Sequence, residues 1–377
     1  YRRLARNLLG EGVFGDGETP TAYRPPLYPL LLVPCLAVED QNLSYFAIRL
    51  LHVVLGVGTV AATLWLGARW NLGRWSLLAA LLVACDPILI NQSLLVMTET
   101  LAACLAALAL VALTWFDERP SMARAAFVGC CLGLASLCRP TFLPWAGFVL
   151  LVEAWRLPGW SCRAKCGGML CASLLLTLAP WAARNQLQFG RPIVTTTHGG
   201  YTLYLGNNLE YYEFLRVAKR GEVFSSTNLG VNLWLAGIPH QTDDEFEVDR
   251  SLYDSALKTI RQQPGMFLYA SLLRVSRLWG LLPQQVEGAK RSNVLRYATV
   301  AWYLAEFALM AAGLAVLRTR LLRSPWLWGM LLAATFTAVH AVYWTDMRMR
   351  APLAPFIALV SARGAAAFGG WVRRRKS

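Results

Sequence analysis

Charge is scarce in this sequence. Asp, Glu, Lys and Arg together make up 15% of it, against roughly 25% in an ordinary soluble domain. The scarcity is lopsided, with 22 acidic residues facing 36 basic ones. The short motifs of common soluble chemistry are also missing: there is no Walker loop, no HExxH, no GxSxG and no dinucleotide fingerprint. No Cys lies between residues 184 and 294, which excludes a disulfide framework there. No Met precedes Tyr1, and the chain shows no internal repeat or long low-complexity tract.

What the chain has instead is apolar sequence. Apolar residues account for 56% and mean hydropathy is +0.41, which describes a multi-span membrane protein. Nine stretches approach the length of about 20 residues that a helix needs to cross about 30 Å of hydrocarbon. They lie near 45–67, 75–92, 97–116, 124–139, 141–156, 167–183, 295–317, 325–345 and 351–370. The expected organisation is a first outer loop over 1–44, membrane helices over 45–183, an outer loop region over 184–294, and membrane helices with a basic tail over 295–377.

The basic residues orient these spans, because short cytoplasmic loops are enriched in Lys and Arg. Arg69 and Arg74, Arg119 and Arg124, Arg156 with Arg163 and Lys165, Arg318 with Arg320 and Arg323, and Arg373 to Lys376 all fall in alternate connections. Those connections are read as inner. The short outer loops carry only Arg139, beside Glu39 and Asp40. The net charge of +14 is thus a topology signal, and nucleic acid is not an expected partner. The chain is expected in the plasma membrane as a multi-pass protein contacting membrane lipids, with its working face outside the cytoplasm.

The nine Cys lie in or beside spans or in an inner loop, where they read as packing thiols. Cys162 and Cys166 have no nearby His or Cys pair to complete a zinc site. Outside the membrane, Tyr1 to Leu9 form an amphipathic helix suited to a membrane surface, with Tyr1, Leu4, Ala5, Leu8 and Leu9 on one face and Arg2, Arg3 and Arg6 on the other. Pro192–Thr197 is β-branched enough for a short strand, and Tyr201–Leu205, between His198-Gly199-Gly200 and Gly206-Asn207-Asn208, predicts a second. Thr242 is placed to cap a helix with the stripe Phe246, Tyr253, Ala256, Leu257 and Ile260, ended by Pro264. A second helix is expected from Met266 to Leu282.

The candidate functional groups gather at the outer boundary: Asp16, Glu18, Arg24, Asp86, Glu99, Arg139, Arg184, His198, Asp346, Arg348 and Arg350. Asp86 and Glu99 lie in or near apolar runs, where an ionisable group is costly. Asp86 precedes Pro87, so a turn explains it as well as a function does. Glu99 begins a helix, where capping and the helix dipole compete with a role facing an outward cavity. Arg24, Arg184, Arg348 and Arg350 together ring one boundary, and guanidinium forks suit phosphate oxygens. A lipid phosphate or pyrophosphate is the natural ligand at that depth, although boundary arginines also snorkel to headgroups. His198 suits either a turn or a substrate hydroxyl.

Five segments carry a resemblance: Tyr1 to Leu9, Arg24-Pro-Pro-Leu-Tyr-Pro, Pro180-Trp-Ala-Ala-Arg-Asn, Gly200-Tyr-Thr-Leu-Tyr-Leu-Gly-Asn-Asn and Arg348-Met-Arg-Ala-Pro-Leu-Ala-Pro. In this order they resemble the GT-C glycosyltransferases of family 39, the relatives of protein O-mannosyltransferases and lipid A aminoarabinose transferases. The resemblance implies a mostly α polytopic membrane protein, with a GT-C-like helix bundle and a small extracytoplasmic α/β loop region. It implies a polyprenyl-phosphate-linked sugar as donor, an acceptor that is protein, lipid or glycan, and inverting attack assisted by a general base. The leaving phosphate would be stabilised by Arg24, Arg348 and Arg350, with Arg184 beside them. His198 and Asn207 are the substrate-binding candidates.

In relatives an Asp stands a few residues before the position of Tyr1 and acts as the base. The resemblance therefore implies a chain truncated at its start and inactive as it stands, with Glu99 as a second acid that orients donor or acceptor. Relatives differ over a divalent metal, and no ligand cluster in the sequence compels one. A transporter or lipid flippase is the alternative, although its signature of charges at mid-span depth is weak here.

Overall fold

The computed structural model describes residues 1–38, 40–218, 224, 244–282 and 293–376. It is a bundle of helices whose order follows the apolar pattern. The first half comprises α1 (Arg2–Glu11), α2 (Leu27–Leu36), α3 (Gln41–Arg69), α4 (Trp75–Ala84), α5 (Pro87–Ser93), α6 (Glu99–Glu118), α7 (Met122–Cys138) and α8 (Phe142–Arg156). Next come α9 (Gly159–Cys162) and α10 (Gly168–Phe189), joined by a π turn at Arg163–Gly167. They are followed by α11 (Gly199–Gly206), α12 (Leu209–Val217), α13 (Glu245–Gln262) and α14 (Pro264–Leu278). The last three are α15 (Asn293–Leu317), α16 (Trp326–Val342) and α17 (Ala354–Lys376), the last preceded by a 3₁₀ turn at Met347–Leu353.

All nine apolar stretches fall on helices. Among the described residues, five helical segments are long and apolar enough to span: Gln41–Arg69, Glu99–Glu118, Gly159–Phe189, Asn293–Leu322 and Met347–Gly369. The stretch 75–92 is not one straight helix. It bends by 45° between α4 and α5, where the Asp86 side chain accepts from Leu89 N at 2.9 Å and Pro87 opens the new helix. The turn reading of Asp86 is thus realised.

Helix α6 lies at the centre because its sequence is small and apolar on every side. Ala102, Ala106, Ala107, Ala109 and Ala112 are fully buried, and such residues let neighbouring backbones come close where lipid gives no hydrophobic drive. The same logic joins α7 to α10. A Cβ on Gly129 would lie 2.0 Å from Ser173 Oγ, and one on Gly133 would lie 2.6 Å from Thr177 Cβ, so only glycine permits that crossing.

Two local expectations change. The apolar face of α1 packs in part on protein, with Ala5 fully buried and the Tyr1 ring edge-on to Tyr28 at 5.3 Å, while Leu9 stays 44% exposed. Its basic face points away, with the Arg3 side chain 75% exposed beside Asp16. The predicted strands at Pro192–Thr197 and Tyr201–Leu205 are absent. Tyr201–Leu205 is helical because Gly199 and Gly200 press against α13, with Gly200 N donating to Asp249 Oδ1 at 2.7 Å. Thr195–Thr197 is held instead by single bonds, from Trp181 Nε1 to Thr195 O at 2.7 Å and from Thr197 N to Ala22 O at 3.1 Å. Neither segment is offered a strand to pair with. Among the described residues the one sheet is Gly15–Asp16 against Thr19–Pro20, in the first loop. The predicted cap at Thr242 lies outside the described residues; α13 is capped by Asp244, which accepts from Phe246 N at 2.9 Å. Helix α14 ends at Leu278, four residues short of the expected Leu282.

Candidate active site

Glu99 occupies the first turn of α6 and is completely buried. Its Oε1 lies 3.3 Å from Arg139 Nη2 and 3.7 Å from Arg348 Nε, while Oε2 has no hydrogen-bond partner. One buried carboxylate thus faces two guanidinium groups, and a buried charge needs such partners to persist. Arg139 reaches it from the end of α7, where the backbone turns extended. Arg348 reaches it from the 3₁₀ turn at Met347–Leu353, which is capped by Asp346.

Two cavities meet this trio. The smaller, of about 310 Å³, has Arg139 on its wall together with Arg24, Thr196, His198, His340 and Tyr343. Among the described residues its lining contains two arginines and no Asp or Glu. The larger, of about 470 Å³, has Arg348 on its wall with Asp346, Arg296, Trp302, Ile90 and Leu94. Glu99 therefore stands behind one arginine of each cavity, Arg139 in the smaller and Arg348 in the larger.

Arg24 is placed by the double proline that follows it, which ends the first loop and starts α2. Its guanidinium lies over the rings of Tyr1 and Tyr23, and Nη1 is 3.2 Å from His198 Nε2. Since Arg24 can only donate, the imidazole lone pair is at Nε2 and the proton at Nδ1, which has no partner. Burial, helped by the Arg24 charge, pushes the His198 pKa down to about 3. His198 is therefore neutral at physiological pH. Among the described residues no carboxylate forms an ion pair with Arg24, so its charge is left facing the cavity.

The other predicted residues lie elsewhere. Arg350 is 2% exposed; Nη1 donates to Leu278 O at 3.0 Å and Gly280 O at 2.9 Å, and its guanidinium lies 4.4 Å from the centre of the Tyr303 ring. The Tyr303 hydroxyl is 3.2 Å from both carboxylate oxygens of Asp86. This chain pins the turn that carries Arg348. Arg184 donates to Thr21 O, Phe14 O and Asn185 Oδ1 within 3.0 Å, tying α10 to the first loop. Asn207 is fully buried, donating to Leu203 O and Val342 O and accepting from Tyr212 Oη. The fold thus gathers Arg24, His198, Glu99 and Arg348 around the cavities and places Arg184, Arg350 and Asn207 in the supporting frame.

Sequence reasoning gave little weight to Arg139 and none to His340. The signal for Arg139 was available, as it is the one basic residue of the short outer loops. His340 offered only an imidazole inside an apolar helix. Among the described residues no group of three or more His, Cys, Asp and Glu is arranged to hold a metal ion.

Residues 36–188 match the family model for dolichyl-phosphate-mannose-protein mannosyltransferase. No curated protein sequence matches the chain. Among solved structures, the oligosaccharyltransferase of Archaeoglobus fulgidus in its apo form is 16% identical with a TM-score of 0.56, over 100% of this chain and 47% of that one. The same archaeal enzyme in complex with an inhibitory peptide and a dolichol-phosphate is 15% identical with a TM-score of 0.54, again over 100% and 47%. ArnT from Cupriavidus metallidurans bound to undecaprenyl phosphate is 16% identical with a TM-score of 0.46, over 97% and 72%. This chain spans about half the length of the archaeal enzyme. The chain has the fold of the GT-C membrane glycosyltransferases, and the family-39 resemblance of its motifs agrees with the matched family model.

Proposed function

We propose that this GT-C-fold chain carries the membrane part of a glycosyltransferase that moves a sugar from a polyprenyl-phosphate-linked donor to an acceptor hydroxyl at the extracytoplasmic face. The observation that carries the reading is Arg24: a cation on the wall of a cavity without acidic lining, whose polar neighbour, His198, is neutral. A phosphate monoanion or diester placed there meets a guanidinium fork with no internal competitor. Arg139 adds a second charge to the same wall.

In this reading the donor phosphate lies against Arg24. As the bond from the anomeric carbon to the phosphate oxygen breaks, negative charge grows on that oxygen, and a fixed guanidinium stabilises it more in the transition state than in the ground state. Phosphate is a good leaving group, so cationic stabilisation matters more than a strong acid. Glu99 acts as a positioning residue, holding Arg139 toward one cavity and Arg348 toward the other. The acceptor attacks with inversion, aided by a general base. The basic connections at the Asp117 end of α6 support an inner location for that end, and hence an outer one for the cavities.

The test is transfer from a synthetic polyprenyl-phosphate sugar by the full-length protein. Arg24→Ala is expected to lower kcat/KM by about 100-fold or more, the scale of losing one fixed donor to a developing anion. Transfer that survives this change unaltered sinks the assignment. Lipid or sugar movement without donor turnover favours a transporter instead.

A further inference from the structure

We infer that the smaller cavity reads the hydroxyl groups of the donor sugar through His340 and rejects a sugar bearing an ammonium group; the inference rests on the reading of Arg24 as the phosphate partner. His340 projects from α16 into the cavity wall, is 7% exposed, and its Nδ1 has no hydrogen-bond partner. A buried imidazole nitrogen left unpaired is costly. One that faces a cavity is accounted for when a ligand hydroxyl pairs with it. His198 lines the same space, and its Nδ1 is likewise buried without a hydrogen-bond partner. Tyr343 and Trp344 give the wall flat rings, the kind of surface on which the C–H face of a sugar packs.

The charge pattern decides which sugar fits. Arg24 and Arg139 are both on the wall, and among the described residues the lining holds no Asp or Glu. Glu99, the carboxylate paired with Arg139, lies between two arginines and is already balanced by them. With the donor phosphate committed to Arg24, an ammonium group in this cavity would sit near the Arg139 guanidinium with no carboxylate among the described lining residues to pair with. At separations of roughly 7 Å and an effective dielectric near 20, one such repulsion corresponds to about tenfold to a hundredfold in affinity. A sugar with hydroxyls alone avoids it and finds two imidazoles to pair with.

Three lipids test this with the full-length protein in nanodiscs: polyprenyl phosphate, its hexose conjugate and its amino-sugar conjugate, with Kd measured for each. The hexose conjugate is expected to bind at least about tenfold more tightly than the amino-sugar conjugate. His340→Phe should erase the advantage of the hexose conjugate over polyprenyl phosphate while leaving the latter's Kd unchanged. Thr196→Asp, on the half-buried loop at the cavity wall, should shift the preference toward the amino sugar, and it tests the charge argument independently if the His340 variant fails to fold. Equal or tighter binding of the amino-sugar conjugate by the unaltered protein overturns the inference while leaving the phosphate reading intact. Failure of all three lipids to bind overturns the phosphate reading, and this inference with it.

Discussion

Helix α6 carries an acid–arginine cluster at each end; each holds a buried carboxylate oxygen without a hydrogen-bond partner, on Glu99 and on Glu153, and the two differ in whether a cavity lies beside them. At the far end, Asp117 accepts from Trp328 Nε1 at 2.5 Å, from the Ser324 hydroxyl and from Arg156 Nη1 at 3.5 Å. Arg156 also stands 3.7 Å from Glu153. That cluster joins α6 to α8 and to the start of α16. At the near end, Glu99 has an oxygen without a partner, and its two arginines each face a cavity. Hydrogen-bonding capacity left open beside a cavity, rather than buried charge as such, separates a candidate site from a structural tie.

The comparison can be broken by exchanging charge for its neutral isostere at both ends. Glu99→Gln is expected to lower sugar transfer by about 100-fold, because Arg139 and Arg348 lose the anion that aims them. Asp117→Asn should lower stability by about 1–3 kcal/mol, measured by thermal unfolding in detergent, and leave transfer within about threefold. Equal effects of the two changes on transfer would erase the distinction.

A smaller effect is expected at the turn that carries Arg348. Arg350→Lys keeps the charge but loses the planar guanidinium that lies on the Tyr303 ring while Nη1 donates to Leu278 O and Gly280 O, and should cost about 1–3 kcal/mol of stability. Transfer should fall less than tenfold in kcat/KM, mainly through looser placement of Arg348. A loss as large as that of Arg24→Ala would return Arg350 to the phosphate.

The smallest effect concerns pH. The folded-state pKa of His198 is depressed to about 3, below its unfolded value near 6.5. The unfolded chain therefore binds the proton first. Stability attributable to this group is present in full above about pH 6.5 and falls as pH drops from there toward 3. His198→Asn should flatten that part of the profile of melting temperature against pH. An unchanged slope between pH 6.5 and 4 would show that His198 is not held neutral.

Much of the bundle was legible because hydropathy and helix periodicity are local properties. The nine apolar stretches, the helix start at Glu99 and the turn at Asp86-Pro87 all follow from residues within a few positions of one another. The strands predicted near Thr195 and Leu203 failed because β-branching and flanking glycines specify a strand only when another strand pairs with it; α13 and the first loop supplied different partners. The amphipathic face of α1 shows only that something apolar covers it; α2 covers part of it, and Leu9 stays exposed.

The arginines divide the same way. Sequence placed Arg24, Arg184, Arg348 and Arg350 at one boundary, and their common chemistry suggested a common ligand. Tertiary structure separated them, since backbone carbonyls from Phe14, Thr21, Leu278 and Gly280 accept from Arg184 and Arg350, while Arg24 and Arg348 face cavities. It also brought in Arg139 and His340. By itself the sequence determined a basic, apolar, helical membrane chain with motifs that resemble those of family-39 GT-C glycosyltransferases. Which charges stay available to a ligand was decided only in three dimensions, because an arginine's partners are carbonyls and carboxylates contributed by distant segments.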